Sequence, residues 1–424
     1  MSVYYEGWGE RWLLGNLADN GKQLLFEYSE RALKEGLELS PYKLKLSSQA
    51  YGDLPMHLNR LPGLISDALP DGWGLMLMDR LFRKSGRNAS TLSPLDRLAF
   101  IGNRAMGALV FAPADLESIA PEELDILELS RQAYALANRL EPSIEDSEFE
   151  DSESEVFRHL KQLALLGGSP HGARPKALVY YNPVSTRISS QIFEGGEPWL
   201  VKFQAMGEHK EACAIEQLYA ELARACGLNM PDTAYFDLDK HLAAFGIKRF
   251  DVADGLRVPV HTLAGVLHAD FRTVGSVDYT TLLRITRFLT RDEQCVREAF
   301  ERCVFNVLFN NRDDHAKNFS FRLNKQRQWQ LAPGYDLTFN EGPGGEHQMD
   351  IMGHGKNITR ELLLKLATSG GLAPSWANEP IDRMLEVGLQ FNTLARSFAS
   401  NNSIRSTTIR AIQNRVKANA ALLI

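Results

Sequence analysis

The sequence predicts an α+β protein built from two to three compact units. Its 424 residues exceed the ~100–200 residues of a typical domain. Short apolar runs separated by turn residues dominate residues 1–113, whereas helical periodicity prevails from about residue 280 onward, interrupted by a polar segment at 310–356. The apolar share of 44% and the charged share of 24% are those of an ordinary globular chain, which excludes wholesale disorder and fibrous classes.

The first region predicts a β-rich subdomain. Apolar runs at 12–17 and 23–28 flank Asp19-Asn20-Gly21, which is typical of a β-hairpin. Residues 64–74 open a predicted helix that continues through Phe82, and a strand at 107–111 ends this region.

An acidic block separates this region from the rest of the chain. Residues 141–155 contain eight acidic side chains and no basic one, a composition typical of a solvated connector. A helix at 156–166, strands at 177–181, 199–203 and 245–250, and a helix at 211–226 closed by Gly227 follow it. We therefore predict a subdomain at 1–113, a connector at 114–155, a lobe at 156–252 and a helical lobe at 253–424.

Several classes of protein are excluded by composition. No apolar run approaches the ~18 residues of a membrane span, and the first residues lack the basic and apolar regions of a signal peptide. The four cysteines form no C-x-x-C pair, so neither a zinc knuckle nor a disulfide framework is indicated. A net charge of −6 does not favour direct nucleic-acid binding, because phosphate contacts need surplus Lys and Arg. These features predict a cytoplasmic protein with no membrane partner.

One set of residues has the order that phosphoryl transfer requires. A glycine-containing loop at 167–176 precedes Lys202 in an apolar strand, and a helix with glutamates follows. Asp313 and Asn318 come next, five residues apart, and Asp336 lies eighteen residues after Asn318. A triphosphate needs close backbone N–H groups, a fixed cation and Mg²⁺ to spread its charge. ATP and Mg²⁺ are therefore the predicted cofactors.

Each residue type suits one part of that chemistry. Gly172 lets the main chain approach phosphates closely, and Lys202 in its strand needs an anionic partner. The D-x-x-x-x-N spacing is that of a kinase catalytic loop, in which Asp313 would take the substrate hydroxyl proton and Asn318 would bind Mg²⁺. Asp336 fits a second Mg²⁺ ligand.

Each feature taken singly also fits an ordinary structural role. An isolated Asp-x-x-x-x-Asn is common, residues 169–176 also fit a Gly/Pro turn, and Lys202 also fits a side chain that extends to solvent. His171, His261 and His268 fit loop or core histidines better than metal ligands, and the cysteines fit small buried hydrophobes. The order of the five features favours the catalytic interpretation.

With these motifs the chain resembles the HipA family, serine/threonine protein kinases that act as toxins of bacterial toxin–antitoxin pairs, over nearly its whole length. The matching motifs are residues 69–73 and 102–109 of the N-terminal subdomain, the S-x-x-G-A-x-x-K loop at 169–176, the helix exit and hinge strand at 228–231 and 248–251, the D-x-H-x-K-N-F loop at 313–319, and Tyr335-Asp336. The resemblance implies a bilobal, protein-kinase-like fold with an extra N-terminal subdomain.

The resemblance also implies site residues and partners. Nucleotide contacts fall on His171, Gly172, Ala173, Arg174, Pro175, Lys176, Lys202, Lys248, Arg249, Phe250, His315, Lys317 and Tyr335. Asp313 is the implied base, Asn318 and Asp336 are the metal ligands, and Ser169 is the implied site of inhibitory autophosphorylation. An aminoacyl-tRNA synthetase is the implied protein substrate. The implied partner is a helix-turn-helix antitoxin, through which alone the chain would contact DNA.

The sequence departs from the family pattern at two positions, and two alternative functions remain to be distinguished from the kinase interpretation. Lys248 stands where the family often has Glu, which leaves adenine contacts to backbone groups, and Asp314 beside Asp313 is a second candidate base. The spacing to Asn318 favours Asp313. The rival functions are a small-molecule kinase on a related scaffold and a non-catalytic protein that binds nucleotide or antitoxin.

Overall fold

The structure of the chain is a computed structural model, and it describes residues 1–88, 91–114, 123–138, 150–167, 171–401 and 403–424. The described residues divide into two compact units. The first unit comprises residues 1–38, 46–213 and 232–259, and the second comprises 39–45, 214–231 and 260–424. Mixed helix and strand in both units confirms the predicted α+β class.

The first unit contains a four-stranded antiparallel sheet that includes the predicted hairpin. Its strands are β1 (Ser2–Tyr5), β2 (Trp12–Asp19), β3 (Leu24–Tyr28) and β4 (Leu109–Ala112), in the order β3-β2-β1-β4. Alternate residues of β3 are buried, as a half-buried strand requires, whereas in β2 the consecutive residues Leu14 and Gly15 are both buried.

The second sheet of this unit has five strands and carries the predicted phosphate loop at one end. The strands are β5 (Lys176–Tyr181), β6 (Ile188–Ser189), β7 (Glu197–Phe203), β8 (Thr233–Asp237) and β9 (Ala243–Lys248), in the antiparallel order β6-β5-β7-β9-β8. A short hairpin of β10 (Val252–Ala253) and β11 (Leu256–Arg257) follows. The predicted strands at 177–181, 199–203 and 245–250 are confirmed within two residues.

Helices of the first unit surround these sheets. They are α1 (Glu30–Glu35), α2 (Gly63–Ser66), α3 (Gly72–Lys84), α4 (Pro94–Ile101), α5 (Ile126–Asn138) and α6 (Glu150–Gly167). Helix α5 lies inside the segment that the sequence treats as a connector, because its apolar residues Leu129, Ala133 and Leu136 recur at helical spacing and are buried. Most of the acidic block at 141–155 lies outside the described residues, and the predicted domain boundaries stay predictions.

Helix α7 (Glu211–Ala225) is the predicted glutamate helix, and Glu211 and Glu216 on it are buried. Gly227 follows its end in the left-handed conformation, with φ +80°. This conformation confirms the prediction that Gly227 closes the helix.

The second unit is mainly helical, as predicted from residue 280 onward. Its helices are α8 (Leu263–Leu267), α9 (Tyr279–Thr290), α10 (Glu293–Leu308), α11 (Arg360–Ser369), α12 (Pro374–Leu389), α13 (Phe391–Leu394), α14 (Arg396–Ser400) and α15 (Ser406–Leu423). A three-stranded antiparallel sheet of β12 (Val260–Thr262), β13 (Ser320–Leu323) and β14 (Trp329–Leu331) interrupts them. Most residues of helix α10 are buried, and the helix forms the centre of this core.

The burial of the cysteines and of His261 agrees with the sequence-based predictions. All four cysteines are buried, as predicted, and burial raises the pKa of the Cys226 thiol to about 12. His261 is a satisfied core histidine that hydrogen-bonds the Ser40 hydroxyl at 3.0 Å. Among the described helices, none has the length and apolar character needed to cross a bilayer.

Candidate active site

The predicted phosphate loop folds back over its own lysine. Residues 168–170, including Ser169, lie outside the described residues, and the described part of the loop begins at His171. The Lys176 ammonium donates a hydrogen bond to the carbonyl of His171. Gly172 has φ +103°, and a Cβ there would lie 2.5 Å from Lys176 Nζ. Only glycine therefore fits this turn.

Two buried lysines lie side by side beneath this loop. Lys176 on β5 is directly opposite Lys202 on β7, and the two residues are only 4% and 8% exposed. Phe245 on β9 is the other cross-strand neighbour of Lys202, with its ring centroid 5.9 Å from Nζ. Strand pairing places two cationic side chains side by side, so the pair is suited to an anion of high charge.

Sequence reasoning missed a contact that holds the loop. The Asp71 carboxylate accepts a hydrogen bond from the Gly172 N–H, and the Trp73 N–H donates to the Gly172 carbonyl at 3.1 Å. Gly72 has φ +44°, and a Cβ there would lie 2.8 Å from Gly172 O and from Ala173 Cα. The start of helix α3 therefore clamps the loop. The Asp71-Gly72 pair, at which the helix begins, is the only signal in the sequence.

Other predicted nucleotide residues of the loop have protein partners. Arg174 makes two hydrogen bonds to Glu208 Oε2, from Nε at 3.0 Å and from Nη2 at 2.8 Å. The carbonyl of Pro175 accepts from the Phe203 N–H at 2.8 Å and so ties the loop to the end of β7. The Ala173 side chain is exposed. This stretch therefore offers main-chain groups rather than the Arg174 charge to a ligand.

The predicted hinge residues are also engaged within the first unit. Lys248 Nζ pairs with Glu197 Oε1 at 2.6 Å. Arg249 forms a bidentate pair with Asp251, at 2.9 and 2.8 Å, and the Gly107 N–H donates to the same carboxylate at 2.9 Å. Burial by itself raises the pKa of Asp251, but Arg249 and the Gly107 N–H hold that pKa below its ordinary value. Phe250 is half-buried.

The D-x-x-x-x-N loop of the second unit is closed by its own asparagine. Asn318 Nδ2 donates to the Asp313 carbonyl at 2.7 Å, which leaves the amide oxygen as the atom that would bind a metal. The Asp313 side chain is 42% exposed, and His315 Nε2 lies 4.0 Å from Asp313 Oδ1. Asp313 is therefore the carboxylate of this loop that a substrate can reach.

Asp314 is not accessible to a substrate. Its side chain is 0% exposed, and its carboxylate accepts from Tyr279 Oη at 2.6 Å, His347 Nδ1 at 2.7 Å and the Gln348 N–H at 2.8 Å. Burial and the neighbouring Asp314 charge raise the pKa of Tyr279 well above its ordinary value, so the phenol stays protonated and donates. Asp314 thus anchors the loop, and Asp313 is the better candidate base.

The remaining predicted residues lie around this loop. Tyr335 uses its hydroxyl to bridge the Lys317 carbonyl at 2.6 Å and Ser320 Oγ at 2.6 Å, which ties the stretch before Asp336 to the loop. Asp336 itself has φ +56°, a conformation that Asp tolerates better than most residues and that is common at functional sites.

Phe271 covers part of the same loop. Its ring centroid lies 5.0 Å from that of His315 and 4.6 Å from Lys317 Nζ. Sequence reasoning did not identify this aromatic side chain, which lies in an irregular stretch without a recognisable pattern.

Fold and site together define a two-unit α+β protein. A glycine loop over a buried lysine pair lies in one unit, and an Asp–Asn loop with a following aspartate lies in the other. A family model for the HipA N-terminal domain matches residues 5–112, and one for the HipA-like C-terminal domain matches residues 168–419, more than half of the chain. The chain belongs to the HipA family.

A solved structure agrees with this fold. HipA of Shewanella oneidensis MR-1, in its toxin–antitoxin complex with HipB and operator DNA, matches with a TM-score of 0.70 and 16% identity over 100% of this chain and 97% of that chain. The Helicobacter pylori proinflammatory kinase CtkA matches with a TM-score of 0.35 and 12% identity, over 55% of this chain and 86% of that chain. The first match confirms the HipA fold. The second is too weak to establish a shared fold.

Proposed function

We propose that the chain is an ATP- and Mg²⁺-dependent protein serine/threonine kinase. The observation that carries this proposal is the buried pair of Lys176 and Lys202 beneath the Gly172 turn. A polyphosphate would neutralise both charges and accept hydrogen bonds from the main chain of the loop. The accessible Asp313 and the closed Asn318 loop add the groups that a kinase needs for its acceptor hydroxyl and metal.

The chain's residues would divide the work as follows. Lys202 and Lys176 hold the nucleotide phosphates. The oxygen of the acceptor hydroxyl bonds to the γ-phosphorus and ADP leaves, while Asp313 takes the proton of that hydroxyl. Asn318 Oδ1 and the Asp336 carboxylate are oxygen donors of the kind that Mg²⁺ prefers. When bound, Mg²⁺ would neutralise charge on the phosphate oxygens. Asp314 and Tyr335 keep the loop in place.

Transfer of label from γ-labelled ATP to proteins of a heat-treated bacterial lysate tests the proposal. Wild-type protein should label a discrete protein band in the presence of Mg²⁺, and Asp313→Asn should not, although it still binds ATP. Label found only in small molecules would indicate a small-molecule kinase. ATP binding without any transfer would indicate a non-catalytic protein. Either result rejects the proposal.

The cellular role proposed with this activity is that of a toxin. The Shewanella match is to HipA in a complex with HipB and operator DNA, which supports an antitoxin partner, proposed here to be a helix-turn-helix protein. The net charge of −6 supports contact with DNA only through that partner. An aminoacyl-tRNA synthetase is the proposed class of target, in the cytoplasm. Co-expression with the neighbouring short reading frame should relieve growth inhibition by the wild-type chain.

Self-inhibition through Ser169 belongs to the same proposal. A phosphoserine carries a charge of about −1.5 to −2, which would repel the phosphates of a nucleotide bound nearby. Mass spectrometry after incubation with Mg²⁺ and ATP should find phosphate on Ser169 in wild type and none in Asp313→Asn. An unmodified Ser169 in active wild-type protein would end this part of the proposal.

A further inference from the structure

Residues 339–358, which follow Asp336 and lie between Thr338 and Thr359, have no side chain that could carry an activating phosphate. In protein kinases this stretch is the activation segment, and pairing of an arginine with a phosphorylated residue commonly orders it. Residues 339–358 of this chain contain no serine, threonine or tyrosine. An ordered arrangement of residues 339–358 must therefore depend on unmodified side-chain and main-chain groups of this chain.

Every second residue from 310 to 314, at the start of the catalytic loop, supplies hydrogen-bonding groups to this segment. The Asn310 carbonyl accepts from the Asn340 N–H at 3.0 Å, and the Arg312 N–H donates to the Asn340 carbonyl at 3.2 Å. Two residues further, Asp314 accepts from Gln348 and His347. We call residues 340–348 the clamped segment.

Arg312 directly precedes the candidate base and makes the closest side-chain contacts to the clamped segment. Its Nη1 donates to the Gly345 carbonyl at 2.6 Å and to the Glu341 carbonyl at 3.4 Å, and it lies 3.9 Å from Glu341 Oε2. The Arg312 side chain is only 12% exposed. Burial lowers its pKa, and the Glu341 charge opposes that change. A buried guanidinium of this kind needs an anion close by.

Glu341 is that anion, and a second arginine shares it. Arg415 of helix α15 pairs through Nε with Glu341 Oε1 at 2.8 Å, and Asn310 Nδ2 donates to Glu341 Oε2 at 3.3 Å. The carboxylate therefore lies among two guanidinium groups and an amide, which resembles the setting of a phosphate among arginines.

From these contacts we propose that Glu341 takes the place of an activating phosphate. Through Arg312 and Arg415 it holds the clamped segment on the catalytic loop, so that the kinase needs no activating phosphorylation. Glu341 is thus a positioning residue, and it does not touch the reacting atoms. This inference rests on the proposed kinase function.

The variant Glu341→Gln tests it, because the amide keeps the size of the side chain and removes its charge. We expect kcat for labelling of the lysate band to fall about tenfold, with the KM for ATP and the ATP-induced rise in melting temperature unchanged. Glu361→Gln on helix α11, which removes an exposed carboxylate paired with Lys365, should retain wild-type kcat. If Glu341 had only a structural role, Glu341→Gln would lower the melting temperature and leave kcat of the folded protein unchanged. That result, or a wild-type kcat, would overturn the proposal.

Phosphatase treatment gives an independent test. Wild-type protein treated with a phosphatase that is then removed should label the band at its full initial rate, without a lag. A lag abolished by prior incubation with ATP would show that an activating phosphorylation is needed and would overturn the inference. Absence of labelling by any wild-type sample would instead reject the proposed kinase function.

Discussion

At the scale of single residues, Asp313 and Asp314 show how neighbouring identical side chains acquire opposite roles. Successive side chains of an extended segment point to opposite sides, so one carboxylate is open to solvent and the other enters the core. The buried carboxylate is stabilised because three donors surround it. The exposed one is open to an acceptor hydroxyl.

Substitution of these two residues should have contrasting effects. Asp314→Asn places an amide NH₂ against groups that donate, and it should lower the free energy of unfolding by about 3 kcal/mol. Asp313→Asn should change it by no more than about 0.5 kcal/mol while abolishing transfer. Urea denaturation of both variants measures the difference. Equal stabilities would show that the donors around Asp314 do not need its charge.

Asp251 is another buried carboxylate with a specific partner. Because Arg249 and the Gly107 N–H hold its pKa below the ordinary value of 3.8, its contribution to stability is present at neutral pH and is lost as pH falls through the lowered pKa. Removing this carboxylate leaves Arg249 buried without its charge partner.

The free energy of unfolding should therefore decline in acid partly through Asp251. Asp251→Asn should lower stability at pH 7 by about 3 kcal/mol and make the decline between about pH 5 and pH 2 shallower. Asp53→Asn, at an exposed loop position, should retain the wild-type profile. A parallel decline in wild type and Asp251→Asn would assign acid sensitivity to other groups.

At the scale of elements, the phosphate loop depends on the helix that follows Pro70. The beginning of α3 makes two hydrogen bonds to Gly172, and Gly72 allows the backbones to approach. A side chain at Gly72 would collide with the main chain of Gly172 and Ala173, which cannot move without moving the loop.

Gly72→Ala should weaken nucleotide binding more than it weakens the fold. We expect the Kd for ATP to rise about tenfold, because the loop loses its clamped position. Gly86→Ala is a matched control, since that glycine also has positive φ but a Cβ there would meet nothing within 4 Å. Gly86→Ala should lower the free energy of unfolding by about 1 kcal/mol, because alanine is strained in the left-handed conformation, and it should not change the Kd for ATP. Unchanged Kd values for both variants would refute the clamp.

Local patterns in the sequence predict most elements but not the contacts between distant ones. The hairpin of β2 and β3, helix α7 and the strand of Lys202 follow from apolar spacing and turn residues, and the structure confirms them. The Asp71–Gly172 clamp joins residues about a hundred positions apart, and Asp314 becomes an anchor only through Tyr279 and His347. No short-range pattern encodes such pairings.

At the scale of the whole molecule, the predicted kinase residues are shared between the two compact units. The lysine pair and its loop belong to the first unit, and Asp313, Asn318 and Asp336 belong to the second. The proposed function requires one nucleotide to be bound by both sets. This requirement can be tested without knowing the acceptor protein.

Calorimetric titration with Mg²⁺ and ATP should show one binding event per chain. Lys202→Met and Asp336→Ala should each weaken that same event by tenfold or more, roughly 1.4 kcal/mol, because each removes a charge that the nucleotide or its metal requires. Lys240→Met, at an exposed position of the same unit, should bind as wild type does. Two binding events, or a variant in which one event persists at full affinity, would mean that the two sets of residues do not share a nucleotide.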